Sequence, residues 1–127
     1  FGQEFSHRGL FVAEEFQVNS VTTHDQTHPH VAVSGSGRRI VAWSSMLTDG
    51  SGLGVYGQRF VEPGHPGGGE FRSNTFTPDD QWVGALAMRP DGAFILVWSS
   101  YQMDGAGTDV FHQRYGASGG ALGASGW

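Results

Sequence analysis

Ile40-Val41-Ala42-Trp43-Ser44-Ser45, Asp49-Gly50-Ser51-Gly52 and Val55-Tyr56-Gly57-Gln58-Arg59-Phe60 decide how this chain folds, because the same three blocks return 55 residues on. There they read Ile95-Leu96-Val97-Trp98-Ser99-Ser100, Asp104-Gly105-Ala106-Gly107 and Val110-Phe111-His112-Gln113-Arg114-Tyr115. The same offset pairs Glu15-Phe16 with Glu70-Phe71, Asn19 with Asn74, Thr22 with Thr77 and Asp25-Gln26 with Asp80-Gln81. A third, partial copy opens the chain, where Phe1-Gly2-Gln3-Glu4-Phe5 matches Tyr56-Gly57-Gln58-Arg59-Phe60. Self-similarity at a fixed period is the mark of stacked repeats. It divides one β-repeat domain, 1–127, into a partial unit 1–24, a full unit 25–79 and an incomplete unit 80–127.

Each unit reads as strands. Val31-Ala32-Val33 and Leu86-Ala87-Met88 are short apolar segments closed by turn signals, Ser34-Gly35-Ser36-Gly37 and Arg89-Pro90-Asp91-Gly92. Pro-Asp-Gly is a strong hairpin cue. The runs Ile40–Trp43 and Phe94–Trp98 are apolar on both faces, as strands inside packed sheets are. Val55–Phe60 alternates, and Glu70–Asn74 reads as a short edge strand. No stretch shows a 3.6-residue period. The expectation is therefore all-β: four antiparallel strands per unit of about 55 residues, in propeller-like blades. The chain holds about two blades and part of another. A blade cannot bury its own face. Completion by other chains, in a ring of copies, is the expectation; a piece of a longer repeat protein or two units packed face to face are the alternatives. In the first case the amino-terminal strands would complete a neighbour's unfinished last unit.

Composition excludes several functions. The 127 residues include 21 Gly, no Cys and 15% charged residues, with a net charge of -5. All seven cations are Arg, and only Arg38-Arg39 are adjacent, so neither a nucleic-acid face nor a polybasic membrane anchor is expected. No apolar run reaches the roughly 20 residues of a membrane helix, so membrane insertion is not expected. Thiolate chemistry is impossible without Cys. The chain begins at Phe1 rather than Met, which reads as processing, trimming or a piece of a longer protein.

The pattern Trp43-Ser44-Ser45, Asp49-Gly50-Ser51-Gly52-Leu53-Gly54-Val55-Tyr56-Gly57-Gln58-Arg59-Phe60 and Gly68-Gly69-Glu70-Phe71-Arg72-Ser73-Asn74-Thr75 resembles a propeller-like repeat of large secreted or cell-surface bacterial proteins. Those proteins often also carry calcium-binding or adhesin-like modules. The resemblance spans nearly the whole chain. It implies propeller-like β-repeats, a secreted or cell-surface location and a binding or scaffolding role, without a defined enzymatic activity. The second unit departs from the pattern. Thr108-Asp109 stand in place of Leu53-Gly54, His112 replaces Gly57, and the tail 116–127 lacks the Glu-Phe strand.

Candidate site residues fall into four groups. Asp49 and Asp104, with Asp109 added in the later unit, suit Ca²⁺. That ion wants six to eight oxygens, and one carboxylate per loop is poor for it, so capping of the turn is the stronger reading. His24, His28 and His30 are of a type that binds zinc, and His28 and His30 would share a face of an extended strand. The second unit has Asp79, Val83 and Ala85 there, so these histidines are decoration on one copy. Trp82, beside Asp79 and Asp80, suits a sugar, with ring stacking on the pyranose and acids taking hydroxyls. An interface anchor is an equal reading of Trp82. Arg59 and Arg114 recur as ligand clamps or, preferably, as partners of Glu15 and Glu70. Asp25 and Asp80 read as acids that bond the backbone between units.

The leading functional expectation is an extracellular structural or adhesive β-repeat protein, not an enzyme, whose partner is a second copy of itself. A carbohydrate-binding module taking glycans, with Ca²⁺ as an optional cofactor, is the alternative. A glycoside hydrolase ranks last, because no carboxylate pair with the required spacing can be read from the chain.

Overall fold

A computed structural model describes residues 1–46, 48, 50–62, 65–75, 77–101 and 106–123. The fold is all-β, and no helix occurs among the described residues. Two antiparallel sheets carry it. The first has five strands: β1 (Gln26–Val33), β2 (Arg39–Met46), β3 (Leu53–Glu62), β4 (His65–Pro66) and β5 (Phe71–Arg72). The second has four: β6 (Gln81–Met88), β7 (Phe94–Tyr101), β8 (Thr108–Tyr115) and β9 (Ala121–Leu122). β1 and β2 lie 55 residues before β6 and β7. Neither sheet closes into a barrel, and the two stack with β6 across β1, β2 and β3.

Local chemistry explains the hairpins. Ser6, Ser34, Arg89 and Gly116 each donate a backbone bond to the residue four on, and each accepts one from the glycine three on. Those glycines (Gly9, Gly37, Gly92 and Gly119) all have φ between 75° and 92°. This is the three-residue hairpin loop whose last position must be left-handed. β1 and β6 begin five residues ahead of the apolar segments that announce them in sequence. Each absorbs a bulge, between Thr27 and His30 in β1 and between Val83 and Ala85 in β6. The bulge breaks the apolar alternation by which a strand is recognised.

The fourth strand of the first unit is split, because β4 and β5 both pair with β3. The amino-terminal segment repeats this arrangement in miniature. Gly2 bridges Phe16 as Gly57 bridges Phe71, and Phe5 bridges Phe11 as Phe60 bridges Pro66. In both copies the Phe ring lies over the glycine. A Cβ on Gly57 would stand 2.7 Å from the Phe71 ring, and one on Gly2 would stand 3.0 Å from the Phe16 ring. Where the chain offers no Phe at the equivalent place (Gly126), it also no longer needs the glycine and carries His112. Glutamine completes each copy. The side-chain amides of Gln3, Gln58 and Gln113 donate to the carbonyls of Ala13, Gly68 and Leu122, tying the third strand of each unit to the segment that follows it.

The core lies between the sheets. Ile40, Ala42 and Val55 from the first meet Val83, Phe94, Leu96, Trp98 and Tyr115 from the second. Phe94 stacks on Tyr115 with centroids 4.7 Å apart, and Phe71 caps both rings at 6.2 and 5.1 Å. Burial pushes the Tyr115 phenol above its ordinary value, opposed by its hydrogen bond with the Ser73 hydroxyl at 2.8 Å. Phe16 packs on Phe60 at 5.2 Å, the same contact one unit earlier.

Candidate functional site

The connection between the sheets is held by side-chain hydrogen bonds from Asn74, Asp80 and Gln81. Asn74 accepts from the Val55 amide at 2.8 Å and donates to Gln81 Oε1 at 2.9 Å. Gln81 donates onward to the Pro78 carbonyl at 2.8 Å. Asp80 Oδ1 accepts from the Leu53 amide at 2.9 Å, and the Asp79 amide donates to Ser51 Oγ at 3.0 Å. Ser44, of the Trp-Ser-Ser motif, accepts from the Val83 amide at 3.1 Å and so joins β2 to β6. Asp80 thus bonds backbone across units, whereas the exposed Asp25 engages through its backbone carbonyl, which accepts from the Met46 amide. Asp79 takes φ 58°, and its equivalent one unit earlier, His24, takes φ 59°. Both residue types tolerate the left-handed region.

Gly52 permits this approach. Its φ is +49°, and a Cβ there would stand 2.5 Å from the Asp79 carbonyl oxygen. Gly52→Ala is expected to destabilise the chain by about 1–3 kcal/mol, since the clash is with backbone and cannot be relieved by a rotamer change. Urea unfolding measures it. Gly35→Ala, which meets nothing within 4 Å and is not left-handed, serves as the silent comparison.

The other candidates are dispersed. Trp82 is half-buried on β6 opposite Ser99, with exposed Asp79 three residues before it. Arg59 donates to the Ala117 carbonyl at 3.0 Å, reaching the β8–β9 turn of the second sheet rather than a glutamate. Burial, with repulsion from Arg38, pulls its pKa below the ordinary arginine value. Arg114 donates to the Gly123 carbonyl at 2.7 Å, and Glu70 accepts from the Ser20 amide and hydroxyl, both at 2.8 Å. Among the described residues neither arginine pairs with Glu15 or Glu70, and each donates to a backbone carbonyl. A bidentate pair that sequence reading missed joins Arg39 to Glu4, with Nη2 to Oε2 at 2.7 Å.

The histidines do not converge. His28 sits in the β1 bulge at φ 52° with its Nδ1 3.0 Å from Thr27 Oγ1, whereas His30 lies past the bulge opposite Ala42. The bulge removes the shared face that regular alternation would give them. Asp109 lies on β8 opposite Ser100. Asp49 and Asp104 lie outside the described residues. Among the described residues, no three His, Asp or Glu side chains gather to hold a metal ion.

What the repeat does leave open is surface. Leu86 and Met88 on β6 are half-buried and packed against the core between the sheets. Their equivalents Val31 and Val33 are 63% and 60% exposed. Val55 is fully buried against the second sheet, while its equivalent Val110 is 72% exposed. Each sheet therefore presents outward the residues that the other buries at the seam. On the first sheet, Val31, Val33 and Val41 form one side of a groove of about 730 Å³, and the amino-terminal segment Phe1–Phe5 forms the other. The signal was present in sequence as Val31/Leu86 and Val33/Met88, matched apolar pairs with nothing to say which member is covered.

No family model matches the chain, and no curated protein is similar to it. Among solved structures, the chain is similar in fold to the endo-arabinase from Bacteroides thetaiotaomicron VPI-5482, with a TM-score of 0.54 and 12% identity. The match covers 92% of this chain and 48% of that one, so the chain spans about half the length of that enzyme.

Proposed function

We propose that the chain is a pair of propeller-type blades of a secreted or cell-surface bacterial repeat protein, and that it is a non-catalytic module acting by association with further copies of the same repeat. The observation that carries this reading is the exposure of Val31, Val33 and Val110 in positions whose repeat equivalents Leu86, Met88 and Val55 are packed at the seam. Such surface is costly to leave in water, at about 25 cal/mol per Å² of apolar area. Heterologous association through unlike faces gives rings or open arrays. Light scattering tests it: mass is expected to rise with concentration, and Val110→Asp, a change at an exposed position, is expected to lower it. A chain that stays monomeric at every concentration overturns the reading.

A second reading is favoured by the likeness in fold to an endo-arabinase. In it, Trp82 and Asp79 at the start of β6 bind a sugar without cleaving it, by stacking and by hydroxyl hydrogen bonds. Affinity electrophoresis in arabinan, with and without Ca²⁺, decides it. Retardation lost in Trp82→Ala supports the reading, and unchanged mobility of the parent chain removes it.

A further inference from the structure

The groove on the first sheet has a free strand edge as well as an apolar floor, and we propose that it takes a β-hairpin of this same repeat, of the β1–β2 type. This rests on reading the units as stackable blades, and it specifies the partner.

Gly2 exchanges two backbone bonds with Phe16, and Ser6 and Val12 bond to Leu10 and Glu4. Gly2, Glu4 and Ser6 thus turn their backbone groups toward the segment that follows them. In a strand, alternate residues face opposite edges, so Phe1, Gln3 and Phe5 point theirs the other way. No described strand pairs with that edge. The equivalent edge of β3 is occupied by β2, with Arg39 opposite Phe60, Val41 opposite Gln58 and Trp43 opposite Tyr56. The equivalent edge of β8 is occupied by β7 in the same register.

By the pattern of the other two units, two strands would stand beside this edge. Phe1–Phe5 already stands where the third strand of such a unit stands, and Phe16 packs on Phe60 as Phe71 packs on Tyr115. One apolar face of the β1–β2 hairpin, with Ile40, Ala42 and Ala32, lies against β6 in the core to which Leu86 and Met88 also pack. A second hairpin with that face would pack against Val31 and Val33 in the same way. Its second strand would bond to the Phe1–Phe5 edge with Arg39 opposite Phe5, Val41 opposite Gln3 and Trp43 opposite Phe1. Strand addition of this kind draws affinity from the main chain and specificity from alternate side chains.

The probe is a fluorescein-labelled synthetic peptide of residues 26–46, titrated against the full chain and followed by anisotropy. Saturable binding is expected. A peptide with Ile40→Asp, which leaves the protein untouched, is expected to bind at least about tenfold more weakly, because a carboxylate would enter the apolar seam. Val31→Asp in the protein, checked for folding by circular dichroism, is expected to do the same, whereas Val110→Asp on the other sheet is expected to leave binding unchanged. No saturable binding, or binding indifferent to both Ile40→Asp and Val31→Asp, overturns the proposal. A chain that captures the peptide yet stays monomeric in light scattering would keep this inference and sink self-association as its function.

Discussion

Phe94→Ala is expected to cost about 3–5 kcal/mol, enough to remove most of the stability of a domain this size. Phe94 is fully buried and packs against both Tyr115 and Phe71, with Leu96 next to it on the same face of β7. Truncation leaves a cavity that the stacked Tyr115 ring cannot fill while its hydroxyl remains bonded to Ser73. Thermal unfolding is expected to shift down by more than about 10 °C. The loss should fall on both sheets together, because Phe71 belongs to the first and Tyr115 to the second. A shift within about 2 °C, the range of a surface change, would mean that these rings do not form the centre of the core.

Asn74→Ala is expected to cost about 2–5 kcal/mol. The residue is 2% exposed, and its loss leaves the Val55 amide and Gln81 Oε1 without their shared partner in buried surroundings. Each orphaned buried group costs about 1–3 kcal/mol. The same change at Asn19, its repeat equivalent, is expected to cost no more than about 1 kcal/mol, since that side chain donates only to the nearby Val21 carbonyl. Chemical denaturation of the two variants side by side measures the contrast. Equal losses would show that Asn74 acts within its own loop rather than between sheets.

That contrast marks how far the sequence could be read. The 55-residue offset, the strands around Trp43 and Trp98 and the left-handed Gly37 and Gly92 were legible because each depends on neighbours within a few residues. Gln3, Gln58 and Gln113 stood out as repeats, and their shared brace follows from that. The β1 bulge was not legible, so His28 and His30 were expected on one face. The partners of Arg59 were not legible either, since a guanidinium accepts any carbonyl within reach and the turn it meets lies 58 residues further on. Phe94 and Arg39 hold equivalent positions, yet one stacks on Tyr115 and the other forms an ion pair with Glu4.

By itself, then, the sequence determined the unit: its period, its main strands and its turns, all products of backbone geometry over short stretches. Only the tertiary structure decided which copy of the unit is covered. Leu86 and Met88 are half-buried against the core, while Val31 and Val33, written at the same places in the repeat, face outward. Burial is set by what stacks on a face, and a stacking neighbour leaves no mark on the residues it covers.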